Sequence, residues 1–221
     1  MRTWLYAFGA VGMHLAIKTN SNMYKKNFIV AVDLQNDFID GVLGSEQAQS
    51  IIPNVVKYIK ETRAHIIFTR DTHDDNYLYT HEGNWLSVKH CIKNTSGWEL
   101  NRDVRYAVEH SRCTYSIVDK DSFGTSKTEE IIRCLLEYIQ SGGEWHDYSD
   151  TKGKELNITI FGLDTDICVI SNALLLRSAF PEADINVIAC CCAGTTPEKH
   201  EAALQVMESC HINVDKTNIR G

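Results

Sequence analysis

The sequence predicts a single-domain α/β protein of three layers, α/β/α, with helices covering both faces of a mostly parallel, doubly wound sheet. Three observations carry this. Short β-branched runs such as NFIVAVDL (residues 27–34) are apolar throughout, as in strands buried on both faces. Longer segments between them repeat their apolar residues at helical spacing. Several runs end in a residue of chemical use, which is where such sheets open their ligand crevice.

In order, residues 27–34 form the first strand and lead into Asp33. Gly41, Gly44 and Ser45 mark a loop and a helix start, and Ile51, Ile52, Val55, Val56 and Ile59 give that helix its apolar stripe, with Pro53 expected in a first turn or a kink. Residues 64–69 (AHIIFT) are the second strand, ending at Arg70 and Asp71. The long polar stretch that follows reads as an irregular loop with a short helix around Glu99, and loops of that length in compact domains are usually functional. Residues 115–119 are the third strand, running into Lys120. Ser126 and Glu129 suggest a capping box for a helix to about Gln140, and residues 141–155 read as an exposed loop. Residues 158–161 form the fourth strand, which breaks at Gly162, turns through LDTD and delivers Cys168 into a helix. A fifth strand (185–189), a helix opened by Thr196 and Pro197, and a short strand near Ile212 complete the chain.

The domain proper is expected to span residues 23–221, headed by Met23. Residues 1–22 read as an N-terminal extension: Arg2 and the apolar WLYAFGAVGMHLAI resemble a signal-peptide core, but no A-x-A cleavage site follows. With a formal net charge of −7 and a pI near 5.7, the 221-residue chain lacks the cationic field that nucleic-acid or membrane-surface binding needs. Its eight cysteines include three in a row and no C-x-x-C pair, so thiols in a reducing cytoplasm are expected in place of a disulfide framework.

Asp33, Asp71, Lys120 and the Cys168 turn fall at the ends of four different strands, so the fold would gather them. A thiol at a helix start is activated by free N–H groups and the helix dipole, and an Asp with a Lys supplies a base and a cation without histidine. Each residue also has a plain structural alternative: a loop-capping Asp33, a surface Lys120, a packed Cys168. Asp71 and His73 make a D-x-H pair, and His90 closes the same loop; a carboxylate with two imidazoles suits zinc, iron or manganese.

In their order along the chain, VDLQNDFIDG (32–41), TRDTH (69–73), HCIKNTSGWEL (90–100), DKDSFGT (119–125), GLDTDICV (162–169) and AGTTPEKHEAAL (193–204) resemble the isochorismatase-like cysteine hydrolases, most of all the pyrazinamidase-type nicotinamidases. The resemblance implies that fold and a catalytic triad of Asp33, Lys120 and Cys168. It implies a cis peptide between Leu163 and Asp164 that aims the N–H groups of Asp164 and Cys168 at one point, as an oxyanion hole. It implies one divalent metal, zinc ahead of iron or manganese, on Asp71, His73 and His90, with Glu82 favoured over His81 as fourth ligand. Phe38, Trp85, Phe123 and Leu163 would wall the pocket. The expected reaction is hydrolysis of nicotinamide to nicotinic acid and ammonia, or of another small amide or carbamoyl group, by a cytoplasmic enzyme that works alone or as a homo-oligomer. Two departures from the family pattern bear on substrate: the lysine segment is short, and Asp74 follows the D-x-H pair.

Overall fold

The computed structural model describes residues 26–140 and 152–217. The expected extension (1–22) and residues 141–151 of the expected loop lie outside the described residues. Six strands, β1 (Asn27–Val32), β2 (His65–Asp71), β3 (Thr114–Lys120), β4 (Asn157–Leu163), β5 (Asp184–Ala193) and β6 (Asn213–Asp215), form one sheet in the order β3-β2-β1-β4-β5-β6. Every ladder is parallel. The order reverses between β1 and β4, so the crevice of this doubly wound sheet opens at their carboxyl ends.

The helices are α1 (Asn36–Ile39), α2 (Glu46–Glu61), α3 (His81–Trp85), α4 (Arg102–Glu109), α5 (Lys127–Gln140), α6 (Ile170–Ala179) and α7 (Pro197–Ser209). On one face α2 packs with α4, and on the other α6 touches both α5 and α7, the result of right-handed crossovers on a sheet wound in two directions. Central β1 is buried from Phe28 to Val32, whereas edge strand β3 alternates, since a single neighbour and one covered face shelter only every second side chain.

Several local expectations change. Pro53 lies in the interior of α2, past its first turn. The helix expected near Glu99 begins later, at Arg102, because the Asn101 side chain accepts the N–H groups of Asp103 and Val104; its apolar spacing (Val104, Ala107, Val108) is masked in sequence by charged neighbours. Ser126 directs its hydroxyl toward Glu130 at 3.5 Å. β5 extends four residues further than expected, taking in the three consecutive cysteines. The loop after β2 is also more ordered than its composition suggests. A 3-10 turn (Tyr77–Tyr79) leads into α3, capped by Thr80 Oγ1, which accepts the Gly83 N–H at 3.0 Å.

Candidate active site

Asp33 leaves β1 with φ of 50°, a left-handed conformation that side-chain-bearing residues rarely adopt. Thr69 holds it there: the Asp33 N–H reaches the Thr69 carbonyl at 3.2 Å, and Thr69 Oγ1 donates to Asp33 Oδ1 at 2.6 Å. Lys120, at the end of β3, is fully buried. Its Nζ lies 2.7 Å from Asp33 Oδ2, 3.4 Å from Asp71 Oδ1 and 3.6 Å from Cys168 Sγ. One ammonium therefore joins two carboxylates and a thiol. Burial opposes its charge, but Asp33, Cys168 and Asp71 outweigh that and hold its pKa well above the usual lysine value.

Cys168 sits in a π-helical turn (Thr165–Val169) between β4 and α6. The Leu163–Asp164 peptide is cis, and the Asp164 carbonyl accepts from the N–H groups of Ile167 (3.1 Å) and Val169 (3.0 Å). Gly162 permits this approach: its φ is 134°, and a Cβ there would lie 2.0 Å from the Val32 carbonyl oxygen. The helix start was expected to favour a thiolate. Instead burial, with the Asp33 charge next, pushes the Cys168 thiol well up, and Lys120 opposes this only in part. Burial raises Asp33 too, against the pull of Lys120. Burial thus favours the neutral thiol, and the Lys120 charge beside it opposes that only in part.

A second cluster shares Asp71. Atoms of Asp71, His73, Glu82 and His90 all lie within 4.8 Å of one another. Asp71 Oδ2 is 2.8 Å from His73 Nε2 and 3.3 Å from His90 Nε2, and Glu82 Oε1 is 3.7 Å from both. Burial opposes the Asp71 charge, but His73, His90 and Lys120 hold its carboxyl well below the usual range. His90 Nδ1 donates to the Val88 carbonyl at 2.8 Å, which orients the ring with Nε2 toward the cluster. His73 Nε2 is buried without a well-aligned hydrogen-bond partner. An orphaned imidazole nitrogen facing carboxylates fits a divalent transition metal. Glu82 belongs to this group and His81 does not: successive helical residues point about 100° apart, so α3 turns only one of them inward.

Beside the cluster is a cleft of about 730 Å³ whose walls include His73, His81, Glu82, Trp85 and Phe123. Of the other two expected wall residues, Phe38 is buried behind His90, ring centroids 5.6 Å apart, and Leu163 is fully buried at the cis peptide. Neither lines the cleft.

The isochorismatase domain model matches residues 27–218. The chain belongs to the isochorismatase family. Among solved structures, this family member resembles a nicotinamidase/pyrazinamidase of Bacillus subtilis (TM-score 0.67, 22% identity, 86% of this chain and 100% of that one). It resembles a pyrazinamidase of Pyrococcus horikoshii in complex with zinc (0.61, 25%, 87% and 99%) and the N-carbamoylsarcosine amidase of Thermoplasma acidophilum (0.60, 18%, 89% and 99%). No curated protein sequence matches it.

Three site-forming residues of this isochorismatase-family chain escape a reading of its sequence. Gln35 is fully buried and clamps the Asp71 backbone, accepting its N–H at 2.7 Å and donating to its carbonyl at 2.8 Å. Thr69 fixes Asp33 as described. Asn172 donates to the carbonyls of Cys168 (2.8 Å) and Phe123 (3.1 Å), tying the cleft wall to the thiol turn. Gln35 and Thr69 lie within quoted motifs, but nothing in residue type alone marks a clamp.

Proposed function

We propose that the protein is a metal-dependent amidase that hydrolyses nicotinamide to nicotinic acid and ammonia through a thioester on Cys168. The observation that carries this reading is Lys120 Nζ, 2.7 Å from Asp33 and 3.6 Å from Cys168 Sγ, next to a cluster of four metal-ligand side chains. Asp33 takes the Cys168 proton as sulfur attacks the amide carbon, and Lys120 balances the charge that passes through the thiolate. The N–H groups of Asp164 and Cys168 hold the tetrahedral oxygen. Asp33 returns the proton to the nitrogen, the C–N bond breaks and ammonia leaves. Water, deprotonated by Asp33, then attacks the thioester, the C–S bond breaks, Asp33 returns the proton to the departing sulfur, and nicotinic acid is released with the Cys168 thiol restored.

Asp71, His73, Glu82 and His90 would hold the metal, zinc first in view of the two-imidazole, two-carboxylate donor set. When bound it supplies a Lewis-acid anchor for the ring nitrogen. Trp85 and Phe123 flank the ring.

The test is ammonia release from nicotinamide by the zinc-loaded protein. Cys168→Ala is expected to lower kcat by about a thousandfold or more; substantial residual hydrolysis would overturn the thioester route. The likeness to an N-carbamoylsarcosine amidase favours a second reading, hydrolysis of a carbamoyl group, and N-carbamoyl amino acids belong in the same panel.

A further inference from the structure

The cleft carries charge of one sign. Asp74, after β2, and Asp121, after β3, line it along with Glu82, and among the described residues no lysine or arginine does. Asp74 and Asp121 are exposed, and neither is in an ion pair among the described residues; Lys89, from the same loop as Asp74, pairs instead with Asp75 at 3.6 Å. A divalent ion in the cluster would be balanced by the carboxylates of Asp71 and Glu82, and Lys120 is balanced by Asp33. Among the described residues the charges of Asp74 and Asp121 remain uncompensated, within a chain of net charge −7. His73 and Glu82, which belong to the cluster, also line the cleft and join the two. On the wall, Trp85 (83% exposed) and Phe123 (48% exposed) offer aromatic faces, which attract cations as well as flat neutral rings.

We propose that this cleft selects amides that are neutral or positively charged and rejects those bearing a carboxylate, with Asp74 and Asp121 as the specificity-determining residues. The inference rests on the amidase reading for the reacting group, and it separates nicotinamide-like substrates from N-carbamoyl amino acids, which are anions at neutral pH. The acid product also carries a carboxylate, so the same field favours its departure.

The experiment uses the full chain loaded with zinc and three compounds of similar size: nicotinamide, a ring-carboxylated nicotinamide and a ring-aminomethylated one. We expect kcat/KM for the carboxylate at least about tenfold below that for nicotinamide and rising with salt, as screened repulsion predicts. The value for the cationic form should equal or exceed that for nicotinamide and fall with salt. The double variant Asp74→Asn/Asp121→Asn should raise the carboxylate-to-neutral ratio about tenfold. Equal rates for all three compounds, or a ratio unmoved in the double variant, would overturn the proposal and leave the amidase reading standing. If none of the three releases ammonia, the amidase reading fails, and calorimetric binding to Cys168→Ala still decides the charge preference: binding of the carboxylate about tenfold weaker than that of nicotinamide supports it, and equal binding overturns it.

Discussion

At Cys168 two influences oppose each other. The start of a helix and the Lys120 ammonium favour a thiolate, while burial and the carboxylates of Asp33 and Asp71 favour the thiol and prevail. In the proposed mechanism, the thiol stays protonated until Asp33 takes its proton. Asp33→Asn should preserve the fold and lower alkylation of Cys168 by iodoacetamide along with turnover, by about a hundredfold or more. Mass spectrometry of the labelled protein separates this thiol from the seven others. Gln35 works on the second cluster through Asp71. Gln35→Ala is expected to weaken zinc binding by about 10- to 100-fold, the usual effect of losing a residue that orients a ligand, as measured by chelator competition. An unchanged zinc affinity would make Gln35 a packing residue only.

The elements that matter most are two short connections, the β4 turn and α3. In the first, Gly162 is the only residue type that fits, since a Cβ would overlap the neighbouring strand. Gly162→Ala should destabilise the domain by about 3 kcal/mol or more, through its positive φ as well as the clash. Chemical denaturation measures this directly, and a loss below about 1 kcal/mol would show that β1 and β4 can part without cost. In the second, a five-residue helix capped by Thr80 turns Glu82 into the cluster and Trp85 onto the cleft. Gly83 makes this possible, for a Cβ there would meet the Tyr77 carbonyl oxygen at 2.1 Å. A polar, glycine-bearing sequence read as irregular loop thus conceals a helix whose register selects between adjacent candidate ligands.

Across the whole molecule, the catalytic end of the sheet and its opposite end respond to different variables. Zinc at about a thousand times its Kd should add about 4 kcal/mol and raise Tm by roughly 10 °C, and the double variant His73→Ala/His90→Ala should lose that shift. At the amino-terminal end of the sheet, His65 is buried between Thr114 Oγ1 (2.7 Å) and Ser116 Oγ (2.9 Å), and burial pushes its pKa down to about 4 from 6.5. Above pH 6.5 the imidazole is neutral in both folded and unfolded chains. As pH falls from 6.5 toward 4 the unfolded chain takes up the proton first, so the stability present at neutral pH is lost, by of order 3 kcal/mol in all. His65→Gln should flatten that part of the pH dependence in denaturant titrations at pH 7 and pH 4. Among the described residues, no helix is long and apolar enough to cross a membrane.

Linear order alone determined the alternation of strands and helices and the placing of Asp33, Asp71, Lys120 and Cys168 at strand ends, because β-branched runs and helical spacing are local properties of the chain. It also named both candidates for the fourth metal ligand. Only the tertiary structure brings Glu82, the favoured candidate, within reach of Asp71, His73 and His90, since that depends on the rotation of α3 against β2. Only there do Gln35, Thr69 and Asn172 become clamps, because each acts on residues 36 to 49 positions away or on a carbonyl one helical turn back. The protonation of Cys168 belongs to the tertiary structure for the same reason: burial and the sum of neighbouring charges exist only once four strands have brought their ends together.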